Sequence, residues 1–226
     1  MNRGPTTGEP TPYITDESIV AHFSDGLEIH FSKDETLINE FDEPEGVYLI
    51  KKGFVKAYSL SNDGRRKLFL VHETGEFIPL PWALDGEQNT GLIYEAMTDV
   101  TALRAPKERL RIAMGNNSWL SQEVLKQAVN ILTIYTQRIQ TLEFRSARGR
   151  IISELLHIAE RFGEAHGSQV VINAPITHQD IADSINMTRE TASRALGRLF
   201  KEGLVGQKEH LFTLLDLPRL RKDLSN

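Results

Sequence analysis

The chain has no cysteine among its 226 residues. That absence excludes disulfides, thiolate nucleophiles, iron–sulfur clusters and thiolate-bound zinc together. It fits a reducing compartment, and the cytoplasm is the expected location. No run approaches the roughly 18 apolar residues of a membrane-spanning helix, so no membrane partner is expected. The opening stretch MNRGPTTGEPTPY carries one basic residue, Arg3, and no apolar segment behind it. It does not fit a secretory leader, and residues 1–19 read as a disordered lead-in. Enzyme signatures are missing as well. Neither G-x-S-x-G nor a P-loop occurs. A cupin-like metal enzyme using His30, His72 and Glu76 would want an H-x-H pair beside a carboxylate. No H-x-H exists, and the 7 histidines are scattered. No catalytic residue and no metal ligand is therefore assigned, and the chain is not expected to be an enzyme.

Positive charge is also short, with a net charge of −5. Its distribution matters more than the sum. Residues 1–143 hold 14 Lys+Arg against 21 Asp+Glu, giving −7, whereas residues 144–226 hold 12 against 10, giving +2. The C-terminal third is thus permissive for nucleic acid.

Residues 26–110 read as short strands separated by turns. GLEIHF, ETLI, GVYLIKKG, FVKAYSL, RKLFLVH and VTALRA are rich in β-branched and aromatic residues. Asn62-Asp63-Gly64 separates two of them as a hairpin turn, and Glu73-Thr74-Gly75 marks another. Evenly spaced short strands predict a small antiparallel barrel or roll. Near residue 118 the period changes. Trp119 to Phe144 contains no Gly or Pro. Val124, Ala128, Ile131, Tyr135 and Leu142 form one stripe, with Arg138 at the missing heptad position. Leu125, Val129, Leu132 and Ile139 form a second stripe one residue over. Two adjacent stripes predict a long helix buried on two sides. The pattern leaves open whether the second side meets the same chain or the same helix of a second subunit.

Residues 148–164 predict a further amphipathic helix with Ile151, Leu155, Leu156 and Ile158 on one side, ended by Gly163 to Gly167. VVINAPIT reads as a short strand. Two helices and a β-ribbon, LVGQKEHLFTLLD, follow. In ITHQDIADSINMTRETASRALGRLFKEGLV, Thr177 can cap a short helix with Asp180 on its first turn. Asn186-Met187 makes the turn, Thr188 caps a second helix over 189–202, and Gly203 ends it. At about 100° per residue, Ala192, Ala195, Leu196 and Leu199 fall on one arc. Arg189, Glu190, Ser193, Arg194, Arg198 and Lys201 fall mostly on the other. Arg can grip guanine O6 and N7, and Glu can accept from cytosine N4. A polar arc behind a capped short helix and a tight turn, with a β-ribbon after it, predicts a helix-turn-helix that reads the major groove of double-stranded DNA.

Thr188–Arg194, T-R-E-T-x-x-R, resembles the recognition helix of the Crp/Fnr family of bacterial transcription regulators. S-A-R-G-R-I-I-S-E-L-L at 146–156 is similar to the family's hinge and first DNA-binding-domain helix. G-V-Y-L-I-K-K-G-F-V-K at 46–56 and G-E-F-I at 75–78 are similar to its cyclic-nucleotide-binding β-roll. The resemblance spans about residues 20–222. It implies an α+β protein: a β-roll effector domain at 20–117, a dimerisation helix and hinge at 118–147, and a winged helix-turn-helix domain at 148–226. It implies a homodimer through the long helix, whose expected seam is the Val124 stripe, a palindromic DNA site, and RNA polymerase as a protein partner. Arg189, Glu190 and Arg194 fall on base-reading positions, accompanied by Thr188 and Ser193; Gln179 falls near a phosphate-contacting one. The roll departs from the family's cyclic-nucleotide sensors. Pro79 and Leu80 stand where Gly and Glu are expected, and Thr90 and Gly91 where Arg and Ser are expected. Tyr135 and Thr136 stand where a Thr-Ser pair would meet adenine. Neither cyclic AMP nor cyclic GMP is therefore expected to bind. The remaining pocket, at Thr90, Gly91, Tyr135 and Thr136, is expected to be smaller and more apolar than in those sensors, with Trp82, Leu84, Leu92, Ile93 and Tyr94 nearby. No cofactor is assigned; His72 and Met97 would be available to a haem.

Overall fold

The computed structural model describes residues 26–86 and 89–224. The expected lead-in over 1–19 lies outside the described residues. Twelve strands and seven helices are assigned among those described. Two compact units divide the chain. One comprises residues up to Ala57 together with Val71–Val129; the other comprises Tyr58–Leu70 and residues from Asn130 onward.

Two four-stranded sheets are built from the first eight strands. One has the order β1-β8-β3-β6, built from β1 Leu27–Phe31, β3 Val47–Lys52, β6 Phe77–Ile78 and β8 Val100–Ala105. The other has the order β2-β7-β4-β5, from β2 Thr36–Ile38, β4 Val55–Leu60, β5 Arg66–His72 and β7 Ile93–Ala96. The pairs β1/β8, β3/β8, β3/β6 and β2/β7 are antiparallel. Val47, Leu49, Ile50, Val55, Ala57, Ile78 and Ala102 are buried, so the β-branched strands predicted from sequence build the core. The hairpin turn at Asn62-Asp63-Gly64 is present, with Gly64 at φ 77° and Gly64 N–H donating to Ser61 O. Residues 58–60 of β4 and 66–70 of β5 group with the second unit. A short helix α1, Leu80–Asp85, follows β6. Its last carbonyls are answered by α2, Lys107–Asn116: Lys107 Nζ donates to Gly86 O, and Arg111 donates to Ala83 O and Leu84 O.

Helix α3 spans Ser118–Phe144, without a break. Its two stripes have different fates, and the expected seam is the more buried of the two. Val124 is 1% exposed, Ala128, Ile131 and Leu142 are half-buried, and half-buried Tyr135 sets its ring edge-on to Phe69 at 6.2 Å. Val124 and Tyr135 of that stripe therefore pack against their own chain. The solvent-facing stripe is the other one: Leu125 63%, Val129 52%, Leu132 65% and Ile139 68% exposed. Both stripes are apolar, so composition could not say which one the fold takes. The partners that decide it, such as Phe69, are distant in sequence.

The second unit is a helical domain on a small sheet. Helix α4, Ala147–Phe162, is capped by Ser146, whose hydroxyl accepts from Gly149 N–H. The sheet order is β11-β12-β10-β9, with β9 Gly163–His166, β10 Gln169–Ile172, β11 Val205–Lys208 and β12 Leu211–Leu214. The ribbon predicted at 204–216 is β11–β12, whereas β9 falls where Gly163 to Gly167 was expected to end the helix. Helices α5, His178–Ser184, and α6, Arg189–Lys201, lie between β10 and β11, and α7, Leu217–Leu224, follows.

Candidate nucleic-acid interface

The site is built from α5, α6 and the turn between them. Thr177 and Asp180 form a full capping box: Thr177 Oγ1 accepts from Asp180 N–H at 3.1 Å while Asp180 Oδ2 accepts from Thr177 N–H at 2.9 Å. The turn is closed by Met187 N–H donating to Ala182 O, with Asn186 at φ 56°. That left-handed conformation is one asparagine tolerates better than most residues. Thr188 caps α6, its hydroxyl accepting from Thr191 N–H.

Ala192, Leu196 and Leu199 are fully buried, which orients the opposite face outward. Thr188, Arg189, Glu190, Arg194 and Arg198 are exposed on it. Ser193 is half-buried, and His178 Nδ1 lies 3.0 Å from its Oγ. Gln179 is exposed and its amide donates to Asp183 Oδ1 at 2.6 Å. The structure thus brings Thr188, Arg189, Glu190, Ser193 and Arg194 onto one helix end, with Gln179 on the preceding helix. The rim of this surface has an anchor that pattern reading missed. Arg148 grips both carboxylate oxygens of Glu202, at 2.9 and 2.6 Å, and Asp223 at 2.8 Å. These bonds raise the Arg148 pKa and hold the Glu202 and Asp223 carboxyls below their usual range. One guanidinium thereby ties the start of α4 to the end of α6 and to α7. Beside it Ala147, Arg148, Thr191, Arg194, Ala195 and Arg198 line a cleft of about 240 Å³. Arg194 and Arg198 bring two further guanidinium groups to this cleft, a chemistry that suits a phosphodiester anion.

In the first unit, the described residues of the span after G-E-F-I form a short helix and a local turn. Leu80 is buried inside α1, along with Trp82 and Ala83. Thr90 Oγ1 donates to Leu92 O and accepts from Leu92 N–H, closing a local turn in which exposed Gly91 takes φ 65°. Lys56, buried in β4, pairs with Glu95 of β7 at 2.6 Å, and Lys107 lies 4.5 Å above the Trp82 ring. Of the other expected pocket residues, Tyr135 and Thr136 belong to the second unit. Burial raises the Tyr135 phenol's pKa, and exposed Thr136 donates to Leu132 O. Among the described residues no group of three His, Asp or Glu is assembled that could hold a metal ion. His72 is buried, with Nδ1 2.7 Å from Glu76 Oε2, whereas His30 is exposed.

A β-roll unit joined through a long helix to a winged helix-turn-helix unit is the build of an effector-domain DNA-binding regulator. Comparisons with known proteins agree. A family model described as a Crp-like helix-turn-helix domain matches residues 149–223, and one described as a cyclic nucleotide-binding domain matches residues 28–117. The chain is 28% identical over 195 residues to the nitrogen fixation regulation protein FixK of Bradyrhizobium diazoefficiens, covering 86% of this chain and 81% of that protein. It is 28% identical over 176 residues to the global nitrogen regulator of a Nostoc species, covering 77% and 79%. Among solved structures, FixK2 from Bradyrhizobium japonicum superposes with a TM-score of 0.74 at 26% identity, over 87% of this chain and 96% of that one. A mutant of CooA from Carboxydothermus hydrogenoformans shares the fold with a TM-score of 0.76 at 22% identity, over 90% of both chains. The chain belongs to the Crp/Fnr family of transcription regulators, whose members named here are not enzymes.

Proposed function

We propose that the chain is a homodimeric regulator that reads a palindromic DNA site with α6 of each protomer and does not answer to cyclic nucleotides. The observation that carries this reading is the exposed polar end of α6, where Arg189, Glu190 and Arg194 project from a helix whose other face is fully buried. One such helix per chain, in a dimer, calls for two half-sites about one helical turn apart, roughly 34–36 Å. The solvent-facing stripe Leu125, Val129, Leu132 and Ile139 supports the dimer. Its 4-3-7 spacing keeps to a heptad seam, with Thr136 at the position in between. Arg189, Glu190, Ser193 and Arg194 are the base-reading set, with Thr188 and Gln179 toward phosphate. RNA polymerase is the partner that the family's activity implies at a promoter. The roll's departures support the effector reading: a buried Leu80 cannot accept from a ribose hydroxyl, and Thr90, held in its own turn, supplies no cation for a cyclic phosphate. Thr90 and Gly91 are the residues of the roll's own unit assigned to an effector. No cofactor is assigned. The test is fluorescence anisotropy of the full chain on duplexes selected from a random pool. Two chains per duplex and selected sites with inverted half-sites support the reading. One chain per duplex, or selected sites without symmetry, would overturn it.

A further inference from the structure

We propose that His178 is a specificity-determining positioning residue: it takes the hydroxyl proton of Ser193 and leaves Ser193 an acceptor-only reader of the major groove. The inference rests on the reading of α6 as the groove-facing helix. A free serine hydroxyl donates or accepts according to what it meets, so it discriminates poorly between base edges. Ser193 is not free. Its Oγ sits 3.0 Å from His178 Nδ1. Helical serines and threonines commonly turn back to a carbonyl on the preceding turn. Ser184 does so to Ile181 O and Thr136 to Leu132 O. Among the described residues, Ser193 has only the bond to His178.

The imidazole is held from two sides. It stacks on Phe212 of β12 at 5.7 Å and 26°, and lies 6.3 Å from Phe200 of α6. Phe200 and Phe212 stack on each other at 6.5 Å. The ring therefore has little freedom to swing Nδ1 away. A neutral imidazole carries one N–H. In a free side chain the more stable tautomer places it on Nε2, which leaves the Nδ1 lone pair facing Ser193. Serine donates its proton there, and only its oxygen lone pairs remain for DNA. In the major groove those lone pairs can accept from cytosine N4 or adenine N6, whereas guanine O6 and N7 and thymine O4 present lone pairs of their own. Ser193 should thus favour an amino-bearing base, independently of what Arg194 contacts one residue along.

The experiment uses the full-length chain at about pH 8, above the range in which imidazoles usually titrate. A duplex selected by the wild type is varied one base pair at a time through all four bases. Competition anisotropy is read for wild type, His178→Phe, His178→Asn, Ser193→Ala and the Ser193→Ala/His178→Phe double variant. Phenylalanine keeps the stack on Phe212 and removes Nδ1; asparagine offers an acceptor oxygen near the Nδ1 position. At one half-site position the wild type should prefer an amino-bearing base by roughly 3- to 10-fold, the worth of one hydrogen bond. His178→Phe and Ser193→Ala should each flatten that preference and leave the other positions unchanged. The double variant should be no flatter than either, and His178→Asn should restore the preference. An unchanged base profile in His178→Phe, or an equal loss at every position, overturns the assignment and leaves the groove-reading helix standing. A wild type that prefers no duplex over random sequence overturns the groove reading itself, and this assignment with it.

Discussion

Replacing Arg138 by methionine should loosen the second unit more than any other single change on α3. The Arg138 side chain is 11% exposed. It donates to Glu154 Oε1 at 3.1 Å, to Leu68 O at 3.0 Å and to Phe69 O. Glu154 is itself 8% exposed. Removing one partner of a buried ion pair costs about 3–5 kcal/mol, because the remaining charge is left without compensation. Arg138→Met also leaves two backbone carbonyls without this donor, so a loss of about 4 kcal/mol is expected. Glu154→Leu should cost less, because Arg138 keeps both carbonyls. The double variant should recover much of the Arg138→Met loss, since no buried carboxylate then remains. Amide hydrogen exchange of α4 measures this inside the unit concerned and needs no two-state assumption for the whole chain. At 1.36 kcal/mol per tenfold, the most protected α4 amides should exchange about a thousandfold faster in Arg138→Met. Acceleration below tenfold, or a double variant as loose as the sum of the singles, would refute the argument that the pair is held together by mutual need.

Arg194→Ala should cost about 1–3 kcal/mol on the selected duplex and relax one base position in an anisotropy series; equal loss on random DNA would make Arg194 a phosphate contact only. Leu132→Glu should give monomers by light scattering at micromolar concentration, by setting like charges against each other on the exposed stripe; a persistent dimer would move the interface off that stripe. Calorimetric titration with cyclic AMP or cyclic GMP should show no binding, and a micromolar affinity coupled to tighter DNA binding would overturn the reading of Leu80 and Thr90. Burial lowers the His157 pKa to about 4 from 6.5, so the unfolded chain takes up the proton first as pH falls. The contribution is fully present above 6.5 and lost progressively down to about 4, roughly 3 kcal/mol in all. His157→Gln should remove that slope from α4 exchange, and an unchanged slope would assign it elsewhere.

Much of this architecture is written in local signals. The capping box at Thr177, the cap at Thr188, the left-handed Asn186 and the terminating Gly203, at φ 69°, are encoded within a few residues of where they act. The strands of the roll announce themselves by β-branched runs. Signals weaken where an element lacks its usual residues. Strand β9 reads Gly-Glu-Ala-His, wholly exposed, and exists because β10 pairs with it. The β11–β12 turn uses Glu209 and His210, both at positive φ, in place of the Asn-Gly that such a two-residue turn prefers. The ribbon was legible from its strands, and its turn was not.

The site divides along the same line. Outward residues on α6 are fixed by the helical period once the apolar face is known, so Arg189, Glu190 and Arg194 could be named without coordinates. The side chains that brace the second unit could not. Arg148 reaches Glu202 across 54 positions, Arg138 reaches Leu68 across 70, and His178 reaches Ser193 across 15. None of these separations has a periodicity, because each pair meets through packing of elements laid down far apart. The two apolar stripes on α3 make the point quantitatively. One residue of offset separates them, which is about 100° around the helix, and nothing in their composition favours either. The fold decides by giving Tyr135 an aromatic partner in Phe69 and leaving Leu132 and Ile139 about two-thirds exposed. Sequence period therefore yields which residues share a face, and tertiary partners decide which face remains for a second molecule.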